Sequence, residues 1–176
     1  MNQGSLKPSG VRLRLVNEAD SEFIVNLRND ETLNRHVSKS TSDCSKQLVW
    51  IQEYKLREAQ GEEYYFIIEA AGVPVGTVRI YDIRGDSFCW GSWIITRGTD
   101  PVVAITSAIL IYDYAFDVLG FMQSHFDVRK ENRSVNAFHI RMGAECVKSD
   151  DLNHFYVMKK VAYLDAKKKL SRYFSL

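Results

Sequence analysis

A chain of 176 residues is the size of one ordinary domain, long enough to bury a core without metals or disulfides. Lys and Arg number 23 against 22 Asp and Glu, and a formal charge of +1 gives no whole-molecule field that favours nucleic acid or an anionic membrane. Cys44, Cys89 and Cys146 lie far apart and form neither CxxC nor a Cys/His pair at ligand spacing, which speaks against a metal and against a disulfide framework.

The opening MNQGSLKPSG holds no apolar run, and no stretch of about eighteen consecutive apolar residues follows. Neither a secretory signal nor a membrane span is expected, and the expected compartment is the cytosol. Val11 to Val16 alternates Arg with apolar residues, the period of a half-buried strand. A short helix is predicted near Glu18 to Arg28, then a polar loop, NDETLNRHVSKSTS. Ser42 or Asp43 can cap a helix running to about Gln60 that buries Trp50, Ile51 and Tyr54, with Gly61 at its end. Tyr64 to Ala70 and Val73 to Asp82 read as a hairpin turning at Ala71 and Gly72. A further strand, SFCWGSWII, follows Gly85 and Asp86. From Val102 to Leu119, apolar residues at Ile105, Ala108, Ile109, Tyr112, Ala115, Phe116 and Leu119 mark a helix packed on a sheet, stopped by Gly120. Then come a strand over Met122 to Val128, a helix over Asn132 to Met142, and strands near Glu145 to Lys148 and Phe155 to Val161. The tail AYLDAKKKLSRYFSL predicts a short basic helix with a solvated face. This order makes an α/β layer fold around one mixed sheet.

The junction GSWIITRGTDPVVA hands a strand to a long helix, whose unpaired N–H groups and dipole suit a phosphate, and Gly98 lets the backbone approach closely. A plain connector with Pro101 at the first helical position reads as well. Asn132 is followed after eleven residues by Gly143, with His139 between them.

This order of elements, the loop beginning at Arg97 and the Asn132-to-Gly143 spacing together resemble the GNAT superfamily of acetyl-CoA-dependent N-acetyltransferases, over roughly Val11 to Val161. The spacing is similar to that family's N-x-x-[SA]-x-x-x-[YF]-x-x-x-G-[FA]. The resemblance implies a GNAT fold: a single, mostly antiparallel mixed sheet of about six or seven strands with helices on both faces, in one domain spanning the chain. It implies that Trp93, Ile94 and Ile95 offer backbone groups to pantetheine. Arg97, Gly98, Thr99, Asp100, Val102 and Val103 would surround the pyrophosphate, and Asn132 and Phe138 would hold and cover the arm. The late glycines of the family's phosphate loop are replaced here by Asp100 and Val102, with Pro101 between them. Plain helix capping by Asn132 and core packing by Phe138 remain open.

A tyrosine often protonates the leaving thiolate from the seventh position after the asparagine. Here His139 takes that place, as the candidate acid or as a hydrogen-bonded core histidine beside Val135, Phe138 and Met142. Cys89 and Trp90 precede Gly91, where the family often carries a basic carboxylate, so His125, or Asp82 through water, is the substitute base, each weighed against simple packing or exposure. Arg28 and Asn29 with Trp50 resemble the acceptor end of members acting on nucleotide-linked amino sugars, Arg28 suiting a phosphate or carboxylate. The expected partners are acetyl-CoA, with no metal, and a small amine. Protein N-termini, polyamines and a GNAT-fold binding module without turnover are the alternatives. A homodimer is compatible with the chain.

Overall fold

The computed structural model describes residues 10–30, 33 and 43–174, with the side chains of 171–174 excepted. Most of the predicted polar loop, and Ser42 as a cap, lie outside the described residues. The chain divides into two compact units, Met1–Tyr81 with Gly91–Ile111 and Asp82–Trp90 with Tyr112–Leu176. The strands form a seven-stranded sheet in the order β1-β2-β3-β4-β5-β7-β6.

In the first unit, β1 (Val11–Leu15) and β2 (Tyr64–Ala70) pair antiparallel, with Leu13 opposite Ile68. The predicted turn at Ala71 and Gly72 takes φ of 50° and 81°, the positive values a tight hairpin needs, and leads into β3 (Val73–Arg84). Asn17 caps a short 3-10 turn, Glu18–Asp20, that precedes α1 (Ser21–Asn29), so the predicted first helix is two elements. Its geometry is secured by Arg14, whose guanidinium donates to Asp20 at 2.7 and 2.8 Å and to Glu69 at 2.7 Å. Asp43 caps α2 (Cys44–Ala59) by accepting from Ser45 N at 2.8 Å. Alternation along β2 turns Tyr65 and Ile67 to one side, where they bury Ile24 of α1 and Ile51 and Tyr54 of α2.

Three elements run through both units: β3, β4 (Ser87–Ile95) and α3 (Pro101–Asp113). The helix does not continue regularly to Leu119. After Asp113 it widens into a π-helical turn, Tyr114–Val118, before Gly120 takes φ 79°. Length and composition alone make Pro101–Val118 apolar enough to cross a membrane, at mean hydropathy 1.4, but 56% of it is buried in the protein, as in a core helix.

The second unit holds β5 (Gln123–Arg129), α4 (Arg133–Arg141), β6 (Glu145–Ser149), β7 (Asn153–Lys159) and α5 (Lys160–Phe174). The pairing of β5 with β7 is antiparallel along the whole of β5, from Gln123 opposite Lys159 to Arg129 opposite Asn153. Aromatic rings fill its core, with Phe88, Tyr112, Phe116 and Tyr163 in contact. Asp113 is buried there and accepts from Tyr163 Oη at 2.7 Å and Lys167 Nζ at 2.6 Å, so its charge is compensated.

Candidate active site

The ladder between β4 and β5 is parallel and has two rungs, Ser87 with Gln123 and Phe88 with Ser124. Beyond them β4 runs on to Ile95, held on its β3 side: Val75 O accepts from Thr96 N at 2.8 Å and Ser92 O from Thr77 Oγ1 at 2.9 Å. Ser92 has φ 48°, a left-handed value inside a strand that marks a local break in the pleat. Just after it, Trp93 Nε1 donates to Ser107 Oγ of α3 at 3.1 Å, tying strand to helix. Gly76 of β3 lies so close to this segment that a Cβ there would stand 2.4 Å from Ile94 O.

At the start of α3, Asp100 is the cap: its Oδ1 accepts from Val102 N and its carbonyl from Val103 N, both at 2.9 Å. Thr96 and Thr99 close the preceding turn with hydroxyls 2.9 Å apart. Gly98 takes φ 78°, a left-handed value that favours glycine, and a Cβ on it would meet no protein atom among the described residues. The expected anion site therefore exists as a helix start, but with one donor already taken by a carboxylate.

Asn132 opens α4 as its cap, Oδ1 accepting from Val135 N at 3.4 Å. Gly143 follows at φ 95°, with a Cβ position 3.1 Å from Ala162 O. The buried stripe of α4 is Asn136, His139 and Met142, not the expected Val135, Phe138 and Met142. Asn136 explains the shift: its Nδ2 donates to Arg129 O and Asn132 O, and its Oδ1 accepts from Tyr156 Oη at 2.7 Å. His139 is 4% exposed, its ring 4.3 Å from Phe126 and 5.4 Å from Trp90, and its Nδ1 is buried without a hydrogen-bond partner among the described residues. Burial lowers its pKa to about 4. At pH 7 only about one molecule in 10³ then carries the imidazolium that proton donation to a thiolate needs. His139 is thus packed as a core side chain, while the hydrogen bond that the core-histidine alternative expects is not made by its Nδ1 among the described residues.

Arg28 and Asn29 end α1, next to residues that are not described. Trp50 is half-buried, stacked on Tyr54 and flanked by the guanidinium groups of Arg57 and Arg79 at 5.5 and 5.8 Å. Arg79, absent from the sequence reading, also lies 4.6 Å over Tyr81; only the folded strand brings these rings to it. His125 and Asp82 touch, and Ser87, also unread in the sequence, joins them.

A family model described as acetyltransferase (GNAT) domain matches residues 11–145. Among solved structures, the chain is similar to apo FdhC, described as a nucleotide-linked sugar GNAT, with 47% identity, 95% of this chain and 96% of that one covered, and a TM-score of 0.86. It shares its fold with the spermidine N-acetyltransferase of Vibrio cholerae solved with CoA and spermine, at 18% identity, 88% and 98% coverage and a TM-score of 0.75. No curated protein matches. With its family match covering most of its length and a relative of the same family at 47% identity over 95% of the chain, this chain belongs to the GNAT acetyltransferases.

Proposed function

We propose that the chain transfers the acetyl group of acetyl-CoA to the primary amine of a nucleotide-linked amino sugar. The observation that carries this reading is the 47% identity with FdhC over 95% of the chain. Likeness to the spermidine enzyme, at 18%, supports the fold and not a polyamine acceptor. Acetyl-CoA supplies the activated thioester when bound. Backbone groups of Trp93, Ile94 and Ile95 are assigned to its pantetheine arm, because pairing with β5 ends at Phe88. The turn of Arg97, Gly98 and Thr99 and the start of α3 at Val102 and Val103 are assigned to the pyrophosphate, and Asn132 and Phe138 to the arm. For Asn132 this leaves Nδ2 as donor, since Oδ1 caps the helix. Asp100 is assigned to tuning rather than holding the phosphates. Arg28, Asn29 and Trp50 are assigned to the acceptor, in a single cytosolic domain.

Two measurements test these assignments. Asp100→Asn keeps an acceptor at the cap but removes its charge, so acetyl-CoA binds about fivefold tighter by calorimetry, roughly the 1 kcal/mol of a solvated unit-charge contact. Unchanged affinity places the pyrophosphate away from the start of α3. In steady-state kinetics with acetyl-CoA and nucleoside-diphosphate amino sugars, Arg28→Ala raises the acceptor KM about tenfold or more, a charged hydrogen bond contributing about 1.5 to 3 kcal/mol. The KM of acetyl-CoA stays constant. Wild type that turns over no member of such a panel refutes the amino-sugar reading.

A further inference from the structure

Asp82, Ser87 and His125 come from three strands and form one hydrogen-bonded line. Ser87 Oγ lies 2.7 Å from His125 Nδ1, and His125 Nε2 lies 3.2 Å from Asp82 Oδ2. An ionised carboxylate only accepts, so in the neutral ring Nε2–H donates to Asp82 and the bare Nδ1 accepts the Ser87 hydroxyl. That tautomer points a basic nitrogen at an alcohol. Asp82 is kept charged by Arg84, which donates to it at 3.0 and 2.5 Å and, with His125 after it, holds the carboxyl below its ordinary value. Its backbone is in the left-handed region at φ 49°, a costly conformation for a residue with a side chain, and one that persists where the fold imposes it. The line runs from inside outward: Ser87 is 7% exposed, whereas the Asp82 side chain is 41% exposed. Its inner end, Ser87, is the first of the two rungs beyond which β4 and β5 cease to pair. Other charged groups on the His125 side of the sheet, by alternation and register, are Asp127 and Arg129 on its own strand, Lys159 on β7, and Glu145 and Lys148 on β6.

We propose that this line is a proton relay that neutralises the acceptor amine, an inference that rests on the acetyltransferase reading above. The acceptor's ammonium gives one proton to Ser87 Oγ, directly or through one water, as the Ser87 hydroxyl proton passes to His125 Nδ1. Asp82 stabilises the resulting imidazolium. The freed nitrogen lone pair attacks the thioester carbonyl, the C–N bond forms, the C–S bond breaks, and the second proton of that nitrogen neutralises the departing thiolate. His125 then returns its proton to water. Atoms and charges balance without any further reactant.

The test is the pH dependence of acceptor kcat/KM in His125→Gln and Ser87→Ala, with thiol release from acetyl-CoA as readout and nucleoside-diphosphate amino sugars as acceptors. At pH 7 both variants lose about 10²-fold, the usual contribution of a positioned base. At about pH 9.5 they return to within a few-fold of wild type, because an amine of pKa about 8 then arrives already neutral. Acetyl-CoA affinity is unchanged throughout. Wild-type rates at pH 7, or a loss that high pH does not restore, overturn the relay. Should His125→Gln fail to fold by circular dichroism, Ser87→Ala and Asp82→Asn carry the same comparison. If wild type acts only on a polyamine or a peptide N-terminus, the amino-sugar reading falls alone, and the same ratio measured on that amine decides the relay.

Discussion

Acid weakens the native protein by about 3 kcal/mol more than it weakens His139→Phe or His139→Leu. The cause is a buried imidazole whose pKa falls from 6.5 to about 4 through desolvation alone. The folded pKa lies below the unfolded one, so above pH 6.5 neither state binds the proton and the native state keeps its full stability. Between pH 6.5 and about 4 the unfolded chain binds a proton that the native state refuses, and stability declines by about 1.4 kcal/mol for each pH unit. Below about pH 4 both states are charged and the loss stops growing. Urea unfolding of wild type and variant at pH 7 and pH 4 isolates the effect, because other acid-sensitive groups cancel in the difference. Parallel losses in the two proteins would show that His139 is not buried neutral. Turnover on the same samples separates a second question. With the imidazolium this scarce, kcat of folded His139→Phe at pH 7 stays within a few-fold of wild type, and a loss near about 10²-fold would restore His139 as the proton donor.

Replacing Gly76 by alanine damages stability and acetyl-CoA use together. Its Cβ would sit 2.4 Å from Ile94 O and 3.2 Å from the Cα of Ile95, and both neighbours are backbone that no side-chain rotation can clear. The strands must part, at a cost of roughly 1 to 3 kcal/mol for forced overpacking. Because Ile94 and Ile95 belong to the segment assigned to pantetheine, the same displacement lowers kcat/KM for acetyl-CoA by about 10²-fold, the effect of a misplacement of about 1 Å. Gly85→Ala serves as the control: it adds strain at φ 60° in a turn where a Cβ meets no neighbour, and it lowers stability without touching acetyl-CoA kinetics. Normal acetyl-CoA kinetics in folded Gly76→Ala would remove pantetheine from this strand.

Local chemistry made much of the molecule readable from its residues. The alternation of β1 and β2, the cap at Asp43, the turn at Ala71 and Gly72, and the opening and closing of α4 by Asn132 and Gly143 each depend on neighbours a few positions away. Asp100 was legible as a charge beside a helix start, but its bond to Val102 N, which makes it a cap, needed the folded loop. The burial of His139 depends on Trp90 and Phe126, each from a different strand, whereas periodicity on α4 alone pointed to Phe138. Asp82 and His125 stand 43 positions apart, and no local pattern joins them to Ser87. The pairing of β4 with β5 and the hydrogen bonds of His125 with Ser87 and Asp82 bring the three together, so the chain by itself named two of the candidates while only the packed sheet made them one hydrogen-bonded line.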